Sequence, residues 1–388
     1  MNWGSPEGAM ETDIAIVGAS AAGLLAACRL ASAGRDVVVF ERSLALEPLE
    51  RSLIVTHKME DLLGSIGNRS VKNHIDRFEM YANGKVGEIK LGKPDLIIER
   101  SILIEDLARQ AMDAGAKLEL GSRLVGLNGA GGGIRLDLKQ GGQARTLTAS
   151  KVIGADGAQS DVARLGGWPP VPLVSLIQAI IATPSDIDLH TSRIWFRPQD
   201  TPFFYWFIPE CSDRGALGVI GEDAPNVKGR LDAFLAEKGM TPLGYQAALI
   251  PAYKRWVKPH KKLGKGDVYL VGDAAAQVKV STVGGIVTGF RGAEAIVERI
   301  LTGSRRELRP LRRELNLHLL IHKSLRRFSQ EDYIHLLDQL SPEVKRSITV
   351  RSRDDAGRIL LSLMRTRPSL LLRGMGSLVG RRALNPQA

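Results

Sequence analysis

The sequence predicts an α/β chain (α+β overall) with a parallel β–α–β core, interleaved with an antiparallel sheet and followed by a helical C-terminal region. Three observations carry this. The apolar run Ile14, Ala15, Ile16, Val17 meets a small-residue turn at 18–23, a helix-like stretch and a second apolar run ending at Phe40. That is the minimal parallel crossover unit. Two later apolar runs, at 151–154 and 267–271, end in the same way, on small residues and an acid. Between them lie aromatic and β-branched runs of the kind that form half-buried antiparallel sheets.

The elements follow in order. The first helix ends near Ala33, with Gly34 as its C-cap, and the second strand ends on Glu41. Residues 51–71 are expected to be helical and connecting, and 78–91 alternate like a hairpin. Residues 103–115 are an amphipathic helix, with Leu103, Leu107, Ala108 and Ala111 on one face. Short strands are expected at 117–127, 134–138 and 144–149, with a turn at 129–133 and a separate buried strand at 151–154. Residues 173–181, 193–196, 202–208 and 216–220 read as a second sheet. A helix is expected at 283–301, and from Arg305 the chain is mostly helical, broken at Pro342 and Pro368. The domains are then a nucleotide-binding part in three pieces (12–75, 99–170, 265–304), a sheet-based substrate domain (76–98 and 171–264) and a basic helical region (305–388).

Composition bounds the function. With 388 residues, 44% of them hydrophobic, the chain buries a large core and is long for one compact domain. No apolar run reaches the ~18–20 residues of a spanning helix. The first twelve residues lack the basic start and apolar centre of a signal peptide, so a cytoplasmic protein is expected. Two distant cysteines exclude a disulfide framework, a zinc site and a dithiol pair, and no metal is expected. Cys28 reads as core and Cys211 as a strand end nearer solvent. The net charge of +11 is uneven: residues 304–388 carry 18 Lys+Arg against 8 Asp+Glu, and the rest 35 against 34. Such a tail suits an anionic surface. Without interleaved aromatics or a recognisable module, nucleic acid is not expected.

The turn Gly18-Ala19-Ser20-Ala21-Ala22-Gly23, after a strand and opening a helix, aims helix N–H groups at a pyrophosphate. Gly18 permits the turn and Gly23 lets helix and strand pack closely. Ser20 replaces the usual middle glycine; it is small, and its hydroxyl can donate to a phosphate. Glu41, with Arg42 beside it, suits the ribose diol of NAD or FAD and repels a 2′-phosphate. The segments at Asp156-Gly157 and Gly272-Asp273 select FAD, because an acid at such a strand end can hold a ribityl chain. Gly284-Gly285 lets backbone approach a flat ring, and the helix opening at Ile286 can stabilise negative charge on a reduced flavin.

These segments together resemble the glutathione-reductase-type FAD fold shared by aromatic hydroxylases and geranylgeranyl reductases. Arg100 is similar to that fold's arginine near FAD, and Leu124 to its apolar residue near the adenine. Residues 272–286 look like the geranylgeranyl reductase branch: Ala276 and Val280 stand where hydroxylases carry His and Pro. Phe204-Tyr205-Trp206-Phe207-Ile208-Pro209 resembles the family's substrate strand, which implies Phe204, Trp206 and Pro209 as cavity residues. The tail, with Asp354-Asp355 and 367–370, is also similar. The resemblance implies hydride delivery from reduced FAD to isoprenoid double bonds of a lipid or prenyl substrate, with NADPH, NADH or ferredoxin as reductant. It names no proton donor, and Tyr205, His190 and Cys211 qualify by chemistry alone. Leucines at 360–363 and 370–372 lie among Arg358, Arg365, Arg367, Arg373, Arg381 and Arg382. Such basic amphipathic helices suit an anionic membrane, so peripheral attachment at the inner face of the cell membrane is expected. The alternatives are a class A-type FAD monooxygenase of an aromatic or polyketide-like substrate, and a non-enzymatic flavoprotein.

Overall fold

The computed structural model describes residues 10–46, 50–222 and 224–359. Its first half opens with β1 (Met10–Val17), α1 (Ala21–Ser32), β2 (Val37–Phe40), β3 (Ser52–Val55) and α2 (Lys58–Leu63). A long hairpin follows, β4 (Val71–Ala82) and β5 (Lys85–Glu99), then α3 (Arg100–Asp113). Next come β6 (Lys117–Glu119), β7 (Ser122–Gly129), β8 (Ile134–Gln140), β9 (Gln143–Gly154) and α4 (Asp161–Leu165).

The second half contributes β10 (Leu173–Ile181), β11 (Thr191–Trp195), β12 (Tyr205–Pro209), β13 (Gly215–Gly221), α5 (Ala224–Glu237) and β14 (Gly244–Pro251). It closes with β15 (His260–Leu263), β16 (Gly266–Leu270), α6 (Ile286–Thr302), α7 (Leu308–Leu325), α8 (Gln330–Asp338) and α9 (Pro342–Thr349).

Two sheets organise these elements. The first runs β15-β16-β9-β1-β2-β6, with β7 and β8 attached through β9. Its centre is parallel: β1 pairs with both β2 and β9, and β9 with β16. Central strands are continuously apolar because both faces are covered. Ile14, Ile16, Val37 and Val39 pack under α1, α3 and α6. Ala15, Val17, Val38 and Phe40 face the β7–β8 ribbon. Helix α1 begins at Ser20, whose hydroxyl accepts the Gly23 N–H (3.3 Å).

The second sheet runs β14-β10-β13-β12-β11-β4-β5-β3, antiparallel except where β11 meets β4. One face carries Ile75, Phe78, Leu176, Trp206, Ile208 and Ile220. The other carries Ala179, Trp195, Tyr205, Phe207, Leu217 and Val219 and is covered by α5 through Val227, Leu231, Phe234 and Leu235. Helix α7 packs Leu311 and Leu315 on the first of these faces. Pro342 opens α9 from its first turn.

Several expectations are corrected. Residues 51–71 are not one helix: Ser52–Val55 is an edge strand on β5, followed by the short α2 and a 3-10 turn at Asn68–Ser70. Residues 117–127 divide into β6 and β7 around Gly121, whose φ is +67°. The expected strands at 144–149 and 151–154 are one strand, β9, which is antiparallel to β8 along its first half and enters the parallel centre with its second. Helix α5 and strand β14 fall where no element was expected. Arg365, Arg367, Arg373, Arg381 and Arg382, with the leucines among them, lie outside the described residues. Among the described residues no helix is long and apolar enough to cross a membrane, and no group of side chains is arranged to hold a metal ion.

Candidate active site

The strand ends of the parallel centre open onto two adjoining cavities, one of about 670 Å³ and one of about 200 Å³. Ser20, Arg100 and Gly157 line both, so the two form one continuous trough. Ligands collect at the carboxyl ends of parallel strands in such folds.

The smaller cavity is lined by Gly18, Ser20, Glu41, Arg42, Arg100, Leu124, Asp156 and Gly157. Gly18 has φ +99°, and a Cβ there would stand 2.5 Å from the Ala155 carbonyl oxygen, so only glycine makes this turn. Gly23 does not line either cavity; it serves packing, since a Cβ would meet the Gly18 oxygen at 2.6 Å. Glu41 is placed by the turn: the Ala19 N–H donates to Oε2 (2.9 Å) and the Ser43 N–H to Oε1 (2.8 Å). Each carboxylate oxygen keeps a further lone pair for a hydroxyl.

The larger cavity is built on the other glycine-containing segments. Ala21, Ala22, Gly272, Asp273, Gly284, Gly285 and Ile286 line it, all from the parallel half. The Gly272–Ala275 turn is braced by Gln277, whose Oε1 accepts the Gly272 N–H (2.7 Å). Asp273 faces the cavity, and burial pushes its carboxyl above the ordinary range against the pull of Arg100 and Arg51. The double glycine sits in a turn closed by Lys279 and Gly284. Val283 there has φ +52°, which costs a β-branched residue about 1–3 kcal/mol and marks a backbone held by its surroundings.

The remaining walls are apolar. Leu53, Val55, Phe78, Leu176, Ile194 and Trp206 come from the second sheet, Ile321 and Leu325 from α7, and Ile348 from α9. Phe204 and Trp206 line this space as expected, and Ile208 joins them. Pro209 does not. Residues 204, 206 and 208 alternate onto the cavity face, while Pro209 falls on the other parity, its carbonyl accepting from Asn73 (2.9 Å). The same alternation turns Tyr205 away to stack on Phe234, with its phenol near Asp200 (3.3 Å).

His190 and Cys211 also lie elsewhere. The His190 Nδ1 contacts the His74 carbonyl, and the exposed Cys211 thiol donates to Asp213 (3.0 Å). Thus none of the three groups proposed on chemistry alone reaches the cavity. Asp156 lines the smaller cavity, and its carboxylate also accepts from Ser160 (2.5 Å) and the Val162 N–H (3.0 Å), which ties it to the first turn of α4. Of the two acids at matching strand ends, Asp156 lies on the smaller cavity and Asp273 on the larger.

A polar corner went unassigned in the sequence. Lys279, Ser281, Thr282, Thr56 and Arg353 line the large cavity. Lys279 pairs with Asp354 and Arg353 with Asp95 (2.6 Å). Ser281 Oγ lies 2.6 Å from His318 Nδ1, and burial lowers His318 to about 3, leaving it neutral. Lys279 stands inside the recognised 272–286 segment, but nothing in its spacing pointed to a partner in the tail.

The residues fit an FAD. The smaller polar pocket with Glu41 suits an adenosine, the shared segment at Ser20, Arg100 and Gly157 a pyrophosphate, and the space over Gly284-Gly285 a flat ring. Comparison with known proteins agrees. Residues 11–172 match the family model of an FAD binding domain. The chain is 26% identical over 409 residues to a digeranylgeranylglycerophospholipid reductase 2 of Methanothermobacter thermautotrophicus, covering 93% of this chain and 98% of that one. A geranylgeranyl bacteriochlorophyll reductase-like structure from Thermoplasma acidophilum covers 95% of this chain and 100% of its own, with TM-score 0.77 and 18% identity. The ternary complex of aklavinone-11 hydroxylase with FAD and aklavinone covers 82% and 69%, with TM-score 0.61 and 18% identity. The two structures speak for the fold, a Rossmann-type FAD-binding fold.

Proposed function

We propose that this FAD-dependent oxidoreductase reduces isolated double bonds of isoprenoid chains, geranylgeranyl groups above all, on a lipid or prenyl substrate. The observation that carries the reading is the large cavity, which joins the flavin-type glycine turns to walls of aliphatic and aromatic side chains. A prenyl chain offers nothing to hydrogen-bond, so its site must work by shape and apolar burial, at ~25 cal/mol per Å² removed from water. The substrate named for the archaeal relative supports the same class.

FAD, when bound, would supply the hydride, with NADPH, NADH or ferredoxin as the proposed source of its electrons. The chain's residues do the rest. Gly18, Ser20, Glu41, Arg42, Arg100, Leu124, Asp156 and Gly157 hold the adenosine and pyrophosphate end, and Asp273 the ribityl chain. Gly284, Gly285 and Ile286 leave room for the ring. Phe204, Trp206 and Ile208 orient the chain and exclude water. Cavity-lining groups beside the double glycine that can carry exchangeable protons include Lys279, Ser281, Thr282 and Asp273.

The test is anaerobic incubation of the reduced protein with a geranylgeranyl lipid. Expected are reoxidation of the flavin without oxygen and a product that gains two hydrogens per bond by mass spectrometry. Turnover that needs oxygen and yields a hydroxylated product would instead establish the monooxygenase. Purification without any flavin would sink both. The basic C-terminal region is proposed to meet an anionic membrane, where such a substrate resides. Equal partitioning of intact and tail-truncated protein onto anionic vesicles would remove that claim.

A further inference from the structure

The polar corner of the cavity holds a buried ion pair. Lys279 sets its ammonium against one oxygen of Asp354, and the Thr56 hydroxyl donates to the other. The two side chains are 6% and 0% exposed. Desolvating two charges roughly cancels their attraction, so stability does not account for such a pair. Its position does. Backbone pairing joins Lys279 to Gly284 (3.1 Å), at the base of the turn that carries the double glycine. A Cβ built on Gly284 would stand 3.2 Å from Lys279 Cε and 3.5 Å from its Nζ. The ammonium therefore borders the surface that Gly284 keeps clear, while Gly285 faces Asp273 Oδ1, 3.2 Å from where its Cβ would stand.

Its counter-charge is positioned independently. Asp354 belongs to a strap at 352–359, fixed on one side of Asp354 by Arg353 on Asp95 (2.6 Å) and on the other by Asp355 on Lys58 (2.7 Å). The carboxylate is thus anchored to β5 and α2, and the ammonium to the glycine turn.

We propose that Lys279 is an electrostatic partner of the flavin: its ammonium stabilises the negative charge of the reduced ring, and Asp354 sets how much of that positive charge the ring feels. The proposal rests on the placement of the flavin against Gly284 and Gly285, and is independent of which substrate is reduced. A unit charge a few ångströms away in a partly dry site changes the ratio of oxidised to reduced flavin dissociation constants by about tenfold or more, ~30 mV for a two-electron couple.

The test uses the purified holoprotein without substrate. Midpoint potentials are measured anaerobically against redox dyes for the wild type, Asp354→Asn, and the double variant Lys279→Met with Asp354→Asn, which removes both charges together. The expected order, from most positive, is Asp354→Asn, wild type, double variant. Equal potentials or a reversed order, with FAD bound, overturn the proposal. Should the double variant lose its flavin, Asp354→Asn alone decides: a potential at or below the wild type overturns the idea. Wild-type protein that purifies without FAD overturns the flavin placement and the proposal together.

Discussion

Mild acid should loosen this fold through two histidines of α7. His318 and His322 are buried, at 3% and 6% exposure, and burial lowers them from 6.5 to about 3 and about 4. The unfolded chain takes up protons at both sites below pH 6.5, while the folded chain does not. Their contribution is therefore complete above 6.5 and is lost as pH falls toward 4 and then 3. One pKa unit is worth ~1.4 kcal/mol, so each histidine costs up to about 2 kcal/mol at pH 5. Together that is a large part of a typical margin of about 5–15 kcal/mol. Three acids oppose the trend: Asp95, Asp156 and Asp273 are raised by burial, so they add stability as they take up protons in the fold. Asp354 is lowered, mainly by Lys279 against the cost of burial, so its contribution is lost only below its ordinary value of 3.8, outside this window. The assay is the urea midpoint followed from about pH 7 to about pH 5, for the wild type and His318→Asn, which keeps an acceptor for Ser281. The variant should show the shallower slope. A wild-type midpoint that stays flat or rises as pH falls, or equal slopes for the two proteins, would refute the reasoning.

Other perturbations have sharp expected outcomes. Gly218 lies under Trp206, and a Cβ there would overlap Cζ2 and stand 2.6 Å from Cε2. Gly218→Ala should cost about 1–3 kcal/mol in chemical denaturation, push the indole into the cavity and raise KM for a prenyl substrate, with FAD affinity unchanged. Glu41→Ala strands the Ala19 and Ser43 N–H groups; at about 1.5–3 kcal/mol for a charged hydrogen bond, fluorescence titration should show FAD affinity falling tenfold or more. The Cys211 thiol is raised by its bond to Asp213 and by burial. Mass spectrometry should therefore find it slow to alkylate at neutral pH and faster in Asp213→Asn, while the buried Cys28 reacts only on unfolding.

The parallel centre was legible because its strands are buried on both faces and its turns must be glycine: β1, α1, β2 and the Gly18 turn stand where the residue pattern puts them. The edge of the second sheet was not. Ser52–Val55 is a four-residue strand with three apolar residues whose partner, β5, begins some thirty residues later, and short runs do not reveal their period. The one-residue parity of β12 shows how narrow the margin is. A motif match on Trp206 and Pro209 places both in the site, yet the pleat sends them to opposite faces and brings Ile208 inward instead.

Asp156 and Asp273 make the deeper point. Each follows an apolar strand and a small residue, and in sequence they are equivalent. What separates them is the chain that follows. After Asp156 come Ser160 and Val162, which turn a hydroxyl and an N–H back onto the carboxylate and hold it against α4 at the smaller cavity. After Asp273 the 3-10 turn is braced by Gln277, so the carboxyl stays turned to the cavity under Arg51 and Arg100. Lys279 extends the argument. Its chemistry depends on Asp354, 75 residues away and held by a strap whose own anchors are Lys58 and Asp95. Local pattern names the residue types a site requires. Which of them face the ligand, and with what charge, is decided by the neighbours the fold gives them, and for Lys279 that neighbour is Asp354 of the C-terminal segment.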